Sequence, residues 1–149
     1  MNVTHILHPT DFTECSEAAL DYALTIARQF GAKVSMVYVM DDLNRTGGWY
    51  VPYISLDGFY KEMCDNAEKK LASAAFKLKE LKDVKTVILR GDPASEIVRF
   101  AEKEGVDMII MGTVGKEGMD AVFGSTTQKV VRGVKCPVLC VKTGPCLPK

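Results

Sequence analysis

Eight consecutive residues, Lys33–Met40 (KVSMVYVM), constrain the fold of this chain more than any other stretch. Beyond Ser35 the run is continuously apolar, so it lacks the in–out alternation of a strand with one wet face. A short run of that kind is buried on both faces. Strands buried on both faces belong to parallel sheets held between layers of helices.

The rest of the chain alternates in step with that reading. Val3–Pro9 (VTHILHP) reads as a first strand, rich in apolar and β-branched residues. Thr13 is a candidate N-cap, with Glu14 and Glu17 in the first turn of a helix that runs to about Phe30. Its apolar stripe is Leu20, Ala23, Leu24, Ala27 and Phe30, and Gly31 takes the C′ position. Asp57 opens a second helix with Phe59, Met63, Ala67, Leu71, Ala75 and Leu78 on one face. Val84–Leu89 is a third strand. Asp92 and Pro93 then supply the N-cap and first position of a third helix, with Ile97, Val98 and Ala101 inward and Gly105 closing it. Met108–Met111 is a fourth strand, Ser125 to about Gly133 a fourth helix, and Pro137–Val141 a fifth strand. Strands alternating with helices at these lengths predict an α/β fold: a single-domain, doubly wound, five-stranded parallel sheet with four helices. The domain is expected over residues 1–142, with a polar tail at 143–149.

Composition narrows the function classes. A chain of 149 residues has room for one domain. Nineteen Lys and Arg balance nineteen Asp and Glu, so no net field draws the molecule to nucleic acid or an anionic membrane. No apolar run approaches the ~20 residues of a membrane span, and the first residues lack the pattern of a secretory leader; a cytoplasmic location is expected. Five cysteines (15, 64, 136, 140 and 146) are an odd number and read as free thiols. Cys136 and Cys140 are expected on one face of the last strand as small core residues. Two histidines, His5 and His8, are too few and too close together for a zinc site with these cysteines.

The chemistry concentrates in Asp107–Thr126 (DMIIMGTVGKEGMDAVFGST). A buried strand ends in Gly112, glycines recur at 115 and 118, and Gly124-Ser125-Thr126 leads into a helix. Strand, glycine loop and helix N-terminus make an anion cradle, and phosphate is its commonest tenant; the alternative is ordinary turn chemistry. The loop is not a Walker A motif, because Gly115 is followed by Lys116-Glu117 rather than by the spacing that motif needs. In doubly wound sheets ligands bind at the carboxyl ends of strands where the strand order reverses. Thr10-Asp11 and Val39-Met40 end the first two strands, so adjacency of the first and fourth strands would put all three segments in one crevice. The segment Asp41–Gly58, with Trp49, Tyr50 and Tyr53, is long for a compact domain. Its aromatic residues would stack on a ligand, pack against another subunit, or cover the sheet edge.

Three stretches, HILHPTDFTECSEAALDYALTIARQFGAKVSMVYV, GDPASEIVRFAEKEGVDMIIMGTVG and GSTTQKVVRGVKCPVLCVK, resemble the universal stress protein family over nearly the whole chain. The resemblance implies a five-stranded doubly wound fold and, in the family's ATP-binding branch, an adenine nucleotide in the crevice. Carried onto this sequence, Asp11 would meet the adenosine end, with Pro9 and Thr10 shaping the wall, and Val39 would offer backbone contacts to adenine. Gly112, Thr113 and Gly115 would wrap the phosphates, Gly124, Ser125 and Thr126 would bind them from the helix start, and Met111 is also implied among the nucleotide-binding residues. ATP or AMP is the implied ligand, with Mg²⁺ bridging phosphates. Eight residues, Lys116–Phe123, separate Gly115 from Gly124, one fewer than that branch usually has. The resemblance also implies a homodimer paired through Pro137–Val141. The leading expectation is a nucleotide-binding stress-response or signalling module. A phosphoryl-transfer or slow ATP-hydrolysing enzyme, and an interaction module without nucleotide, are the alternatives.

Overall fold

A computed structural model of the chain describes residues 1–42, 56–114 and 123–143. Five parallel strands, β1 (His5–Pro9), β2 (Lys33–Met40), β3 (Val84–Arg90), β4 (Met108–Gly112) and β5 (Val138–Val141), lie in the order β3-β2-β1-β4-β5. Helices α1 (Glu14–Phe30), α2 (Leu56–Ala75), α3 (Pro93–Lys103) and α4 (Ser125–Gly133) connect them, and a 3₁₀ turn at Phe76–Leu78 extends α2. The expected adjacency of the first and fourth strands holds: Ile6 pairs with Met108 and Leu7 with Ile109.

Alternate residues of the central strands feed two separate cores. Ile6, Met36 and Ile110 pack against α1 and the end of α2, with Leu20, Ala23, Leu71 and Leu78. Leu7, Val37 and Ile109 face the other way onto α3 and α4, with Ile97, Phe100 and Val130. Strand residues apolar on both sides are what a sheet covered on both faces requires. The Asp107 carboxylate fastens the base of β4 to the start of β1, accepting from Thr4 N–H and Oγ1 at 2.8 and 2.7 Å and from His5 N–H at 2.9 Å.

The capping residues act as the sequence predicts. Thr13 Oγ1 accepts from Ser16 N–H at the start of α1, and Asp92 from Ser95 N–H at the start of α3. Gly31 ends α1 at φ +67°, a conformation that costs any residue with a Cβ about 1–2 kcal/mol. The helical stripes need correcting. Phe30 and Phe59 are exposed, whereas Tyr60 and Phe100 are buried. Cys136 precedes β5, and Cys136 and Cys140 are both half-buried rather than core residues. Trp49, Tyr50 and Tyr53 lie outside the described residues.

Both histidines are structural. His5 Nε2 bonds Ser35 Oγ at 2.8 Å, and His8 Nδ1 donates to the Ile110 carbonyl at 2.9 Å. No cluster of three or more metal-ligating side chains occurs among the described residues. No helix among them is long and apolar enough to cross a membrane.

Candidate functional site

Strand order reverses between β1 and β4, and a cleft of about 710 Å³ opens at their carboxyl ends. That volume is typical of a small-molecule site. Of the eleven residues expected from the sequence, nine line it: Pro9, Thr10, Asp11, Val39, Met111, Gly112, Gly124, Ser125 and Thr126. Thr113 sits behind the wall, 3% exposed, and Gly115 lies outside the described residues.

One wall is a free strand edge. Backbone polar groups of a strand point alternately to either side. Along β2, Lys33 N–H donates to Thr4 of the β1 segment, and the Val37 carbonyl accepts from Thr10 N–H just past β1, so odd-numbered residues face β1. Even-numbered ones face β3, as the Met40 carbonyl does in accepting from Gly91 N–H. Register pairing of β1 stops at Pro9 opposite Val37. Val39 therefore turns its N–H and C=O toward the space beyond the end of β1, with no strand opposite them among the described residues. A donor and an acceptor stand there side by side.

The opposite wall is the start of α4. Its N-cap is Gly124, so no side chain closes the helix end. Gly124 does not offer its own N–H to the cleft, because that group donates to the Thr113 carbonyl at 2.7 Å. The Gln128 N–H is the first to close a helical turn, onto the Gly124 carbonyl at 3.1 Å. The N–H groups of Ser125, Thr126 and Thr127 precede it and find no partner among the described residues, which leaves them to an incoming acceptor. Thr127 Oγ1 is committed to the Gly112 and Thr113 carbonyls at 3.1 and 3.3 Å, whereas Ser125 and Thr126 keep theirs at the cleft. Lys129, one turn further along α4, brings an ammonium to the same wall.

Asp11 stands between the two walls. Its Oδ1 accepts from Thr13 N–H at 3.1 Å and Thr13 Oγ1 at 2.5 Å, and its other oxygen has no hydrogen-bond partner among the described residues. The turn is held by Thr10 Oγ1, which accepts from Phe12 N–H and donates to Ser16 Oγ, both at 3.1 Å. Phe12 adopts φ +62°, an unusual value for a bulky residue, and its ring packs 4.9 Å from that of Tyr38. Burial, and secondarily the Asp11 charge, raise the Tyr38 pKa above its ordinary 10.0, so the phenol is neutral at pH 7.

Sequence reasoning did not single out Tyr38, Asp41, Met63, Asp92, Ile97 and Lys129, which also line the cleft. The rule that carboxyl ends of strands carry the site points to Asp41 and Asp92, and helical spacing from Ser125 points to Lys129. Met63 is placed only by tertiary structure. Arg90 stacks 3.6 Å from the Tyr60 ring centre while the Tyr60 hydroxyl donates to Asp42 at 3.1 Å, which pins the start of α2 against the sheet.

The sequence profile of the universal stress protein family matches residues 2–142. Universal stress protein MJ0531 of Methanocaldococcus jannaschii is 34% identical, over 92% of this chain and 81% of its own. The solved structure of MJ0577, from the same organism, superposes with a TM-score of 0.83 at 31% identity, covering 97% of this chain and 99% of that one. Two more distant universal stress proteins share the fold. One is in complex with cAMP (TM-score 0.64, 21% identity, 97% of this chain and 100% of that one). The other, from Archaeoglobus fulgidus, is in complex with dAMP (TM-score 0.68, 23% identity, 95% and 100%).

Proposed function

The chain belongs to the universal stress protein family, and from that premise we propose that its cleft binds an adenine nucleotide, ATP or AMP. The observation that carries the reading is the pairing of two unlike walls. The free N–H and C=O of Val39 match the acceptor N1 and donor N6 on one edge of adenine. The uncapped start of α4, with Ser125, Thr126 and Lys129, suits the phosphates at the other end. Asp11, between them, accepts from ribose hydroxyls. The complexes of two family members with cAMP and dAMP support a nucleotide of this class.

Magnesium, where it accompanies the nucleotide, is held chiefly by phosphate oxygens and water, since protein ligands to this ion are often few. The module works in stress response or signalling, reporting nucleotide state rather than consuming it. It does so as a homodimer: β5 is an edge strand, and pairing with a second copy through Pro137–Val141 removes an exposed ladder.

Calorimetric titration tests the reading. ATP and AMP are expected to give saturable heats, and Asp11→Ala to weaken both by about tenfold to a hundredfold, the worth of a hydrogen bond to a charged group. No heat from either nucleotide, or equal affinity in the variant, would count against it.

A further inference from the structure

A second cavity, of about 330 Å³, lies between α1 and α2 on one face of the sheet. Lys70, Ser73, Ala74 and Lys77 line it at the i, i+3, i+4, i+7 spacing of a single helical face. Ser16, Glu17 and Leu20 come from α1, and Phe12 from the turn before it. His8 comes from β1, whose Ile6 packs on the same side of the sheet. Thr10 and Ser16 line the larger cleft as well, so the 3.1 Å hydrogen bond between their hydroxyls stands in the wall between the two spaces.

His8 gives this cavity its chemistry. The side chain is 1% exposed, and its Nδ1 bonds the Ile110 carbonyl at 2.9 Å. A carbonyl only accepts, so Nδ1 carries the proton of the neutral ring and Nε2 is a bare acceptor. That structural bond uses one ring nitrogen and leaves the other unpartnered among the described residues, although buried polar atoms are almost always paired. Among the same residues, Thr113 Oγ1 is the one unpartnered side-chain nitrogen or oxygen sealed on all sides. Nε2 therefore opens onto a void, and the void that His8 lines is this one.

Around that acceptor, Phe12, Leu20 and Ala74 offer apolar surface. Lys70 Nζ stands 5.4 Å from the Phe12 ring centre, which sets a cation beside that surface. Lys70 and Lys77 are exposed and have no ion-pair partner among the described residues, and Glu17 is the one carboxylate in the lining. A ligand matching all three features carries a donor at one end, an apolar body, and an anionic group at the other. A phenol is a more acidic donor than an alcohol and suits a neutral imidazole better. A cavity at the small end of ligand sites limits the body to about one ring.

We propose that the space between α1 and α2 is a second ligand site, which takes a small hydroxyaryl carboxylate. The hydroxyl donates to His8 Nε2, the ring lies among Phe12, Leu20 and Ala74, and the carboxylate meets Lys70 and Lys77. This site is independent of what the larger cleft binds.

The full chain, labelled with ¹⁵N, is titrated near neutral pH with para-hydroxybenzoate, para-hydroxyphenylacetate and para-hydroxyphenylpropionate. At least one acid is expected to shift the amides of Glu17, Ser73 and Ala74 saturably. The same acid should move the His8 Nε2 resonance upfield, the signature of a bare ring nitrogen gaining a hydrogen bond. Its analogue without the hydroxyl should bind about tenfold more weakly and leave Nε2 unmoved. Replacing two exposed cations together, Lys70→Gln with Lys77→Gln, should weaken the acid severalfold. No saturable shift from any of the three acids overturns the site, as does equal affinity for the analogue or in the double variant. Shifts centred on Val39 and Ser125 would put the acid in the larger cleft and overturn it too.

Discussion

Between about pH 7 and about pH 4.5 the free energy of unfolding is expected to fall by about 2–3 kcal/mol through His8 alone. His8 is 1% exposed, and its Nδ1–H is given to the Ile110 carbonyl. Burial pushes its pKa from 6.5 down to about 4, the hydrogen bond and the Asp11 charge offsetting only part of that. In the window between those values the unfolded chain takes up a proton that the native chain refuses. Stability due to neutral His8 is therefore fully present above about 6.5 and is lost as the pH falls, levelling off below about 4 at about 3 kcal/mol. His5 adds to the same slope, since burial, and then Lys33, lower its pKa as well. Asp107 acts at lower pH: hydrogen bonds from Thr4 hold its carboxyl below the ordinary 3.8, so its contribution is lost only under more acid conditions. Urea unfolding across this range, in the wild type and in His8→Asn, isolates the effect. Asparagine keeps a donor for Ile110 but does not titrate, so the variant should show a distinctly shallower slope. Equal slopes would mean that His8 is not the group responsible.

The second large effect is steric. Gly112→Ala should destabilise the protein by about 2–3 kcal/mol, the usual range for overpacking a tight contact, and lower the melting temperature by about 5–10 °C. The new methyl would meet the backbone carbonyl carbon and Cβ of Cys15 at 2.9 Å and its carbonyl oxygen at 3.1 Å. None of these atoms is the free end of a flexible side chain, so relief requires moving α1 against the sheet. Gly31→Ala makes the comparison informative. That site has open space around it and a positive φ, so its cost is conformational, about 1 kcal/mol. Denaturant unfolding of the two variants should rank Gly112→Ala as clearly the worse. A harmless Gly112→Ala would show that β4 and α1 are not packed as described.

Much of this architecture was legible in the residues. Continuous apolar runs at Met36–Met40 and Met108–Met111 define strands covered on both faces, and Thr13, Gly31, Asp92 and Pro93 mark helix ends through local hydrogen bonding and φ preferences that need no tertiary context. Helix phase was legible too, since Leu20, Ala23, Ala27, Ala67, Leu71, Ile97 and Ala101 are buried as expected. Helix ends were less so: Phe30, the last residue of α1, is exposed, and near the start of α2 Tyr60 rather than Phe59 is buried. At the site, the glycine pattern located the start of α4 but not the state of its donors. That Gly124 spends its N–H on Thr113, leaving Ser125 to Thr127 open, is a property of how the strand and helix meet. The free edge of Val39 likewise depends on β2 outrunning β1, a difference in strand length that periodicity does not reveal.

The proposed adenine nucleotide lies across the cleft with its base at Val39 and its phosphates at α4. Titration followed by ¹H–¹⁵N NMR tests it most directly. ADP should shift the amides of Val39 and of Ser125, Thr126 and Thr127 together and saturably, and adenosine should shift Val39 while leaving the three α4 amides nearly unmoved. ADP-induced shifts that spare both Val39 and the start of α4, or no saturable shifts at all, would contradict it.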